Sequence, residues 1–119
     1  MKIMIKPQMS ILKTGKEYEI LHVKGNKGSQ MPSHFSTKEA IIIVLKGEVL
    51  LKFQDKEMNL IPNDSAIIPA SVSHSLFIKE NFEAYVIMAI DSEIKFNNNE
   101  NKNKNGNHKI TQYRFIRSQ

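Results

Sequence analysis

The sequence of 119 residues contains no cysteine and no tryptophan. Without thiols there can be no disulfide, no thiolate nucleophile and no cysteine-ligated zinc, and a reducing, cytoplasmic setting is expected. Arginine is nearly missing too: Arg114 and Arg117 are the only two. Residues 1–90 hold 11 Lys against 9 Asp/Glu (net +2), and residues 91–119 hold 6 Lys/Arg against 3 (net +3), which together make the chain's +5. The body is close to neutral, with no concentrated arginine face, so a solvated surface explains the lysines better than a nucleic-acid partner does. No apolar run nears the ~20 residues of a membrane span, so no membrane partner is expected. The opening MKIMIKPQMS lacks an apolar core and a small-residue cleavage site, so no signal peptide is expected.

Long amphipathic helical periods are missing as well. Short segments with strand character take their place, separated by turn-forming residues. Glu17–Lys24 alternates, and Ala40–Leu45 reads AIIIVL, a β-branched run suited to a strand buried on both faces. Glu48–Phe53, Met58–Ile61, Ser65–Ile68, Ser75–Lys79 and Glu83–Ile90 continue the series. Gly25-Asn26, Lys46-Gly47, Asp55-Lys56, Pro62-Asn63-Asp64 and Glu80-Asn81 mark the expected turns, that at Lys46-Gly47 as a hairpin. So many short strands predict an all-β sandwich or barrel of one domain. Residues 97–107 (NNNENKNKNGN) cannot bury a core and are expected to form a mobile loop or linker between a domain at 1–96 and a segment at 108–119. Within that last segment Lys109–Arg117 alternates again. It is expected to be a strand, returning either to its own sheet edge or to a second subunit.

Two histidines stand in patterned surroundings. Gly28–Gly47 reads GSQMPSHFSTKEAIIIVLKG, and Asn63–Ile78 reads NDSAIIPASVSHSLFI. These stretches resemble the two strand motifs of the cupin superfamily, G-x5-H-x-H-x3,4-E-x6-G and G-x5-P-x-G-x2-H-x3-N. The second keeps its spacing through Asn63, Pro69, Ser71 and His74, with Asn63 and Ser71 replacing glycines. The resemblance implies a single-domain cupin-type jelly-roll β-barrel, often dimeric, with an internal pocket. It also implies a divalent transition metal (Fe, Mn, Ni, Zn or Cu) held by three histidines and a glutamate. Here His34 and His74 match two ligand positions, Ser36 replaces the second histidine, and Ala40 stands at the glutamate position, with Glu39 one residue earlier. A one-residue shift along a strand turns a side chain to the other face. Glu39 reaches the site only if it precedes the strand proper.

Three readings follow from this resemblance. The leading one is a small-molecule-binding cupin whose pocket includes His34, Ser36, His74 and Met31 and which has no robust metal site. In it the histidines bond to each other, to Ser36 or Ser73, or to water, and Ile42, Val44, Phe53, Ile67 or Phe77 supply apolar walls. The second is a metal-dependent oxygenase or isomerase using His34, Glu39 and His74. The third is a structural dimerisation module with a filled interior. His22 shares strand parity with Tyr18 and Ile20 and is a further candidate for the interior, whereas His108 is expected to be solvated.

Overall fold

The computed structural model describes residues 6–97 and the backbone of residues 112–113. Among these residues there is no helix. The strands are β1 (Gln8–Thr14), β2 (Tyr18–Gly25), β3 (Gln30–Ser36), β4 (Ala40–Phe53), β5 (Glu57–Leu60), β6 (Ser65–Ile68), β7 (His74–Ala89), β8 (Ile94–Phe96) and β9 (Gln112–Tyr113). The all-β expectation holds.

Two long antiparallel strands form the spine. β4 and β7 pair along their whole lengths, from Ala40↔Met88 to Phe53↔His74. The early half of β4 carries β6 on its other side, and the late half of β7 carries β2 and then β1. At the opposite halves, β4 carries β5, while β7 carries β3, β8 and β9 in turn. The result is two sheets that share β4 and β7 and curl into a barrel.

The sheet changes direction at a bulged corner. The β4–β7 register shifts repeatedly between Val44 and Val49. Gly47 lies there with φ 82°, and a Cβ at this position would overlap the Asn81 carbonyl oxygen. Only glycine allows both the left-handed backbone and the close approach of the neighbouring strand. Lys46-Gly47 is therefore not a hairpin turn, nor is Glu80-Asn81 a break. Both lie inside continuous strands, and the expected pairs of short strands are single strands of 14 and 16 residues. Strands β1, β3 and β8 correspond to none of the strand segments expected from the sequence.

Alternation then sorts the side chains. Leu21 and Val23 on β2, Ile42 and Val44 on β4, and Ile78 and Phe82 on β7 are all buried in one core. Burying a residue of this size contributes about 1.5–3 kcal/mol. Ile41, Leu45 and Ile67 face the other way and stay exposed. Among the described residues the AIIIVL run is thus covered on only one face. Ile67 and Phe77, expected as pocket walls, are on the outside, and Ile42 and Val44 belong to the packed core. Gln112–Tyr113 adds to the edge of β8 in the same chain. The rest of the expected C-terminal strand, residues 98–111 and His108 lie outside the described residues.

Candidate functional site

The first motif ends its turn at Gly28, and β3 then carries His34 inward. Pro69 closes β6, and β7 begins at His74. The two replaced glycines keep the backbone geometry of glycine, with φ 78° at Asn63 and 63° at Ser71. A β-carbon in this region costs of order 1 kcal/mol, least for asparagine. Ser71 N–H donates to the Ser36 carbonyl oxygen at 2.8 Å, which ties the loop before His74 to the end of β3.

These strands place His34 and His74 directly opposite each other on β3 and β7. Their ring centroids are 4.2 Å apart at 61°, an edge-on contact. Phe96 lies beyond His34 at 5.0 Å and Phe53 beyond His74 at 6.0 Å. Phe96, His34, His74 and Phe53 thus make one row of rings across β8, β3, β7 and β4. Lysine ammonium groups cap both ends: Lys6 Nζ is 5.1 Å from the Phe96 centroid, and Lys56 Nζ is 5.4 Å from that of Phe53.

Both histidines are buried, at 5% exposure each. His34 Nδ1–H donates to the Pro32 carbonyl oxygen at 2.7 Å. His74 Nδ1–H donates to the Val72 carbonyl oxygen at 3.0 Å. Each ring is thereby held in one tautomer, with Nε2 left as an acceptor. Burial disfavours the imidazolium, and the neighbouring His74 disfavours it further. Despite the Pro32 bond, His34 is pushed down to about 4. Burial also lowers His74, against the opposing effect of its Val72 bond. The pair is neutral at pH 7. The rings do not bond to each other, to Ser36 or to Ser73; backbone carbonyls take that role. Ser36 is buried two residues beyond His34 on the same strand face, and Met31 is core, opposite Leu76.

A three-ligand metal centre does not fit these residues. Ala40 opens β4 and faces the core; Glu39 does precede the strand, yet it is exposed and does not turn in toward the histidines. Ser36 offers a hydroxyl where an imidazole would be needed. Among the described residues no three His, Cys, Asp or Glu side chains are grouped to hold an ion. The structure brings His34 and His74 together and leaves Glu39 apart.

A cavity of about 310 Å3 opens beside the pair, lined by Ser33, Lys52, Phe53, Gln54, Ser73, His74 and Ser75. It sits where β4 ends and β7 begins. His74 is its buried residue, and hydroxyls, an amide and an ammonium surround the mouth. Neither Met31, His34 nor Ser36 lines it. Asn97 stands over the two serines: its Nδ2 donates to Ser33 Oγ at 2.9 Å and to Ser73 Oγ at 2.8 Å. Its own N–H donates to the Ser33 carbonyl oxygen at 3.0 Å. Asn97 belongs to the polar tract expected to be loose, yet it joins the two segments that deliver the histidines. Only the apolar alternation of Ile94 and Phe96 just before it hinted at such anchoring. A second cavity of about 420 Å3, lined by residues that include Lys16, Tyr18, Lys38 and Asp91, contains no histidine.

His22 faces outward. Its Nε2 is 3.2 Å from Glu83 Oε1, and its ring lies 6.2 Å from that of Tyr85. Leu21 and Val23 take the inward positions on β2. The parity that sets His22 beside Tyr18 and Ile20 is therefore that of the outer face.

Residues 21–90 match the Cupin domain family. A cupin superfamily protein from Desulfitobacterium hafniense superposes with a TM-score of 0.66 at 21% identity, over 76% of this chain and 84% of that one. KdgF from a Halomonas species gives 0.65 at 18% identity, over 70% of this chain and 77% of its own. The DMSP lyase DddQ from Ruegeria pomeroyi gives 0.67 at 20% identity, over 72% of this chain but 48% of its own. At these identities the likeness is one of fold. No curated protein matches the sequence.

Proposed function

Given that the chain belongs to the cupin family, we propose that it binds a small molecule through the His34–His74 pair without a resident metal. The observation that carries this is the pair itself. Two buried, neutral imidazoles have committed Nδ1 to backbone carbonyls, and among the described residues neither Nε2 has a hydrogen-bond partner. A buried acceptor left unmatched costs about 1–3 kcal/mol, so a ligand that brings an O–H or N–H recovers that cost on binding. Burial strengthens each such bond, and Phe53 gives the ligand an apolar surface. The open cavity beside His74, about 310 Å3, is at the lower end of the usual size range of ligand sites.

The rival is the metal-dependent oxygenase or isomerase built on His34, Glu39 and His74. Metal content separates the two. Protein purified without chelator is expected to hold less than about 0.2 metal ions per chain, unchanged in His74→Ala, because two imidazoles fall short of the three protein ligands of most catalytic sites. Near-stoichiometric metal, lost in His74→Ala, would overturn the proposal.

Self-association belongs to the same reading. Ile41 and Ile67 are cross-strand neighbours on the outer sheet face, and Ile87 flanks Ile41. A second copy packed there would give β4 the two-sided cover that its sequence is built for. Light scattering is expected to report a dimer, which Ile41→Lys with Ile67→Lys would dissociate. A monomeric parent protein would refute this part.

A further inference from the structure

Resting on that reading, we infer that the cavity beside His74 takes a small carboxylate bearing a separate O–H or N–H donor, and that Asn97 is a positioning residue for the carboxylate. Hydrogen-bond direction sets what the two serines can offer a ligand. Asn97 Nδ2 donates to both Ser33 Oγ and Ser73 Oγ. Each hydroxyl has one proton and two lone pairs. With Asn97 occupying a lone pair on each, neither O–H has an acceptor among the described residues, so both can donate to a ligand. Both serines line the cavity, as do Ser75 and Lys52. Two oriented hydroxyl donors beside an ammonium match the two oxygens of a carboxylate, and hydrogen bonds to a charged acceptor are about twice as strong as neutral ones.

The surrounding charges agree. Lys52 Nζ is 3.9 Å from Glu57, a loose pair with both side chains about half exposed, so the ammonium remains available. Lys56 lies over Phe53, which adds a second positive charge on that side. His74 Nε2, an acceptor, would repel the carboxylate and needs a donor instead. The ligand therefore has two different ends, with its body against Phe53. About 310 Å3 is near the lower limit for ligand sites, which keeps it small.

Three related probes test this on the full-length protein: mandelate, mandelamide and phenylacetate. Mandelate has a carboxylate, a hydroxyl and a ring. Mandelamide lacks the charge, and phenylacetate lacks the hydroxyl. In 1H–15N NMR titrations mandelate is expected to shift the amides of Ser33, Ser73 and Ser75 saturably and to bind at least about tenfold more tightly than mandelamide. Asn97→Asp is isosteric but accepts where Asn97 donates, so it draws both serine protons away from the ligand. It is expected to abolish the preference for mandelate over mandelamide, weakening mandelate much more than mandelamide. Ser33→Ala with Ser73→Ala should do so without adding a charge, and Lys52→Met should reduce the preference by about tenfold. A change confined to folding would weaken both probes equally and leave their ratio intact. Equal binding of mandelate and mandelamide, absence of a saturable mandelate shift, or an unchanged ratio in the Asn97 and serine variants would overturn the inference. Equal binding of mandelate and phenylacetate, with mandelamide still weaker, would instead overturn the acceptor role of His74 and leave the carboxylate site standing.

Discussion

The inner and outer faces of this barrel treat histidine in opposite ways. On the inner face His34 and His74 bond to backbone carbonyls, have no acid beside them among the described residues and are pushed toward the neutral form. On the outer face His22 meets Glu83, whose carboxyl is held below its ordinary range, first by the His22 hydrogen bond and further by Lys46. The same side chain is an acceptor platform in one place and the hydrogen-bond partner of a carboxylate in the other. Histidine content alone therefore says little; the bond made by Nδ1 and the presence of a carboxylate decide its role.

The strongest way to break this contrast is to give the inner pair the carboxylate it lacks. Ser36→His with Ala40→Glu would supply an imidazole and an acid at the two vacant motif positions. Metal content by mass spectrometry is expected to rise from near none to about one ion per chain, since four protein ligands would then be present. If the double variant folds and stays metal-free, the inner face differs from the outer by more than its missing ligands.

Acid is the next test. His34 goes from its ordinary value of 6.5 down to about 4 in the folded chain. The unfolded chain therefore takes up this proton first as pH falls. The associated stability is fully present above about pH 6.5, declines as pH drops, and is lost by about pH 4. The loss is roughly 3 kcal/mol for His34, with His74 adding in the same direction. Urea denaturation across this range should show the decline, and His34→Gln should flatten it. His22→Gln should leave it in place. A slope that follows His22 instead would reverse the comparison.

Smaller effects refine it. Ser71 has φ 63° in the loop that delivers His74. Ser71→Gly relieves that backbone and is expected to raise stability by about 1 kcal/mol without changing the pH slope. The smallest change is expected from Glu83→Gln, which removes a solvent-screened pair and should not move the urea midpoint measurably.

Much of this was legible in the sequence, and the gaps have physical causes. Pro69 ended a strand and His74 opened the next, because a residue without an N–H cannot continue a ladder. The corner was harder. A positive-φ glycine with polar neighbours looks the same in a hairpin turn as in a bulge inside a long strand, so Lys46-Gly47 and Glu80-Asn81 read as ends when they are bends. The exposure of Glu39 was not readable from period-two alternation, because the residue precedes β4 and only the path of the connection from β3 decides where it points. Nor was the outward face of His22, because parity says that two faces exist without saying which is covered. Asn97 could not be found, since its role depends on two serines brought to it by distant strands.

The corner at Gly47 and Asn81 has a consequence for how the protein comes apart. Both sheets are made partly of the same two chain segments, so neither can peel away while the other stays whole. Amide exchange is expected to reveal one global opening, with Ile42, Val49, Ile78 and Ala84 exchanging at a common rate. A ligand gripping His74 would then slow exchange as far away as β2.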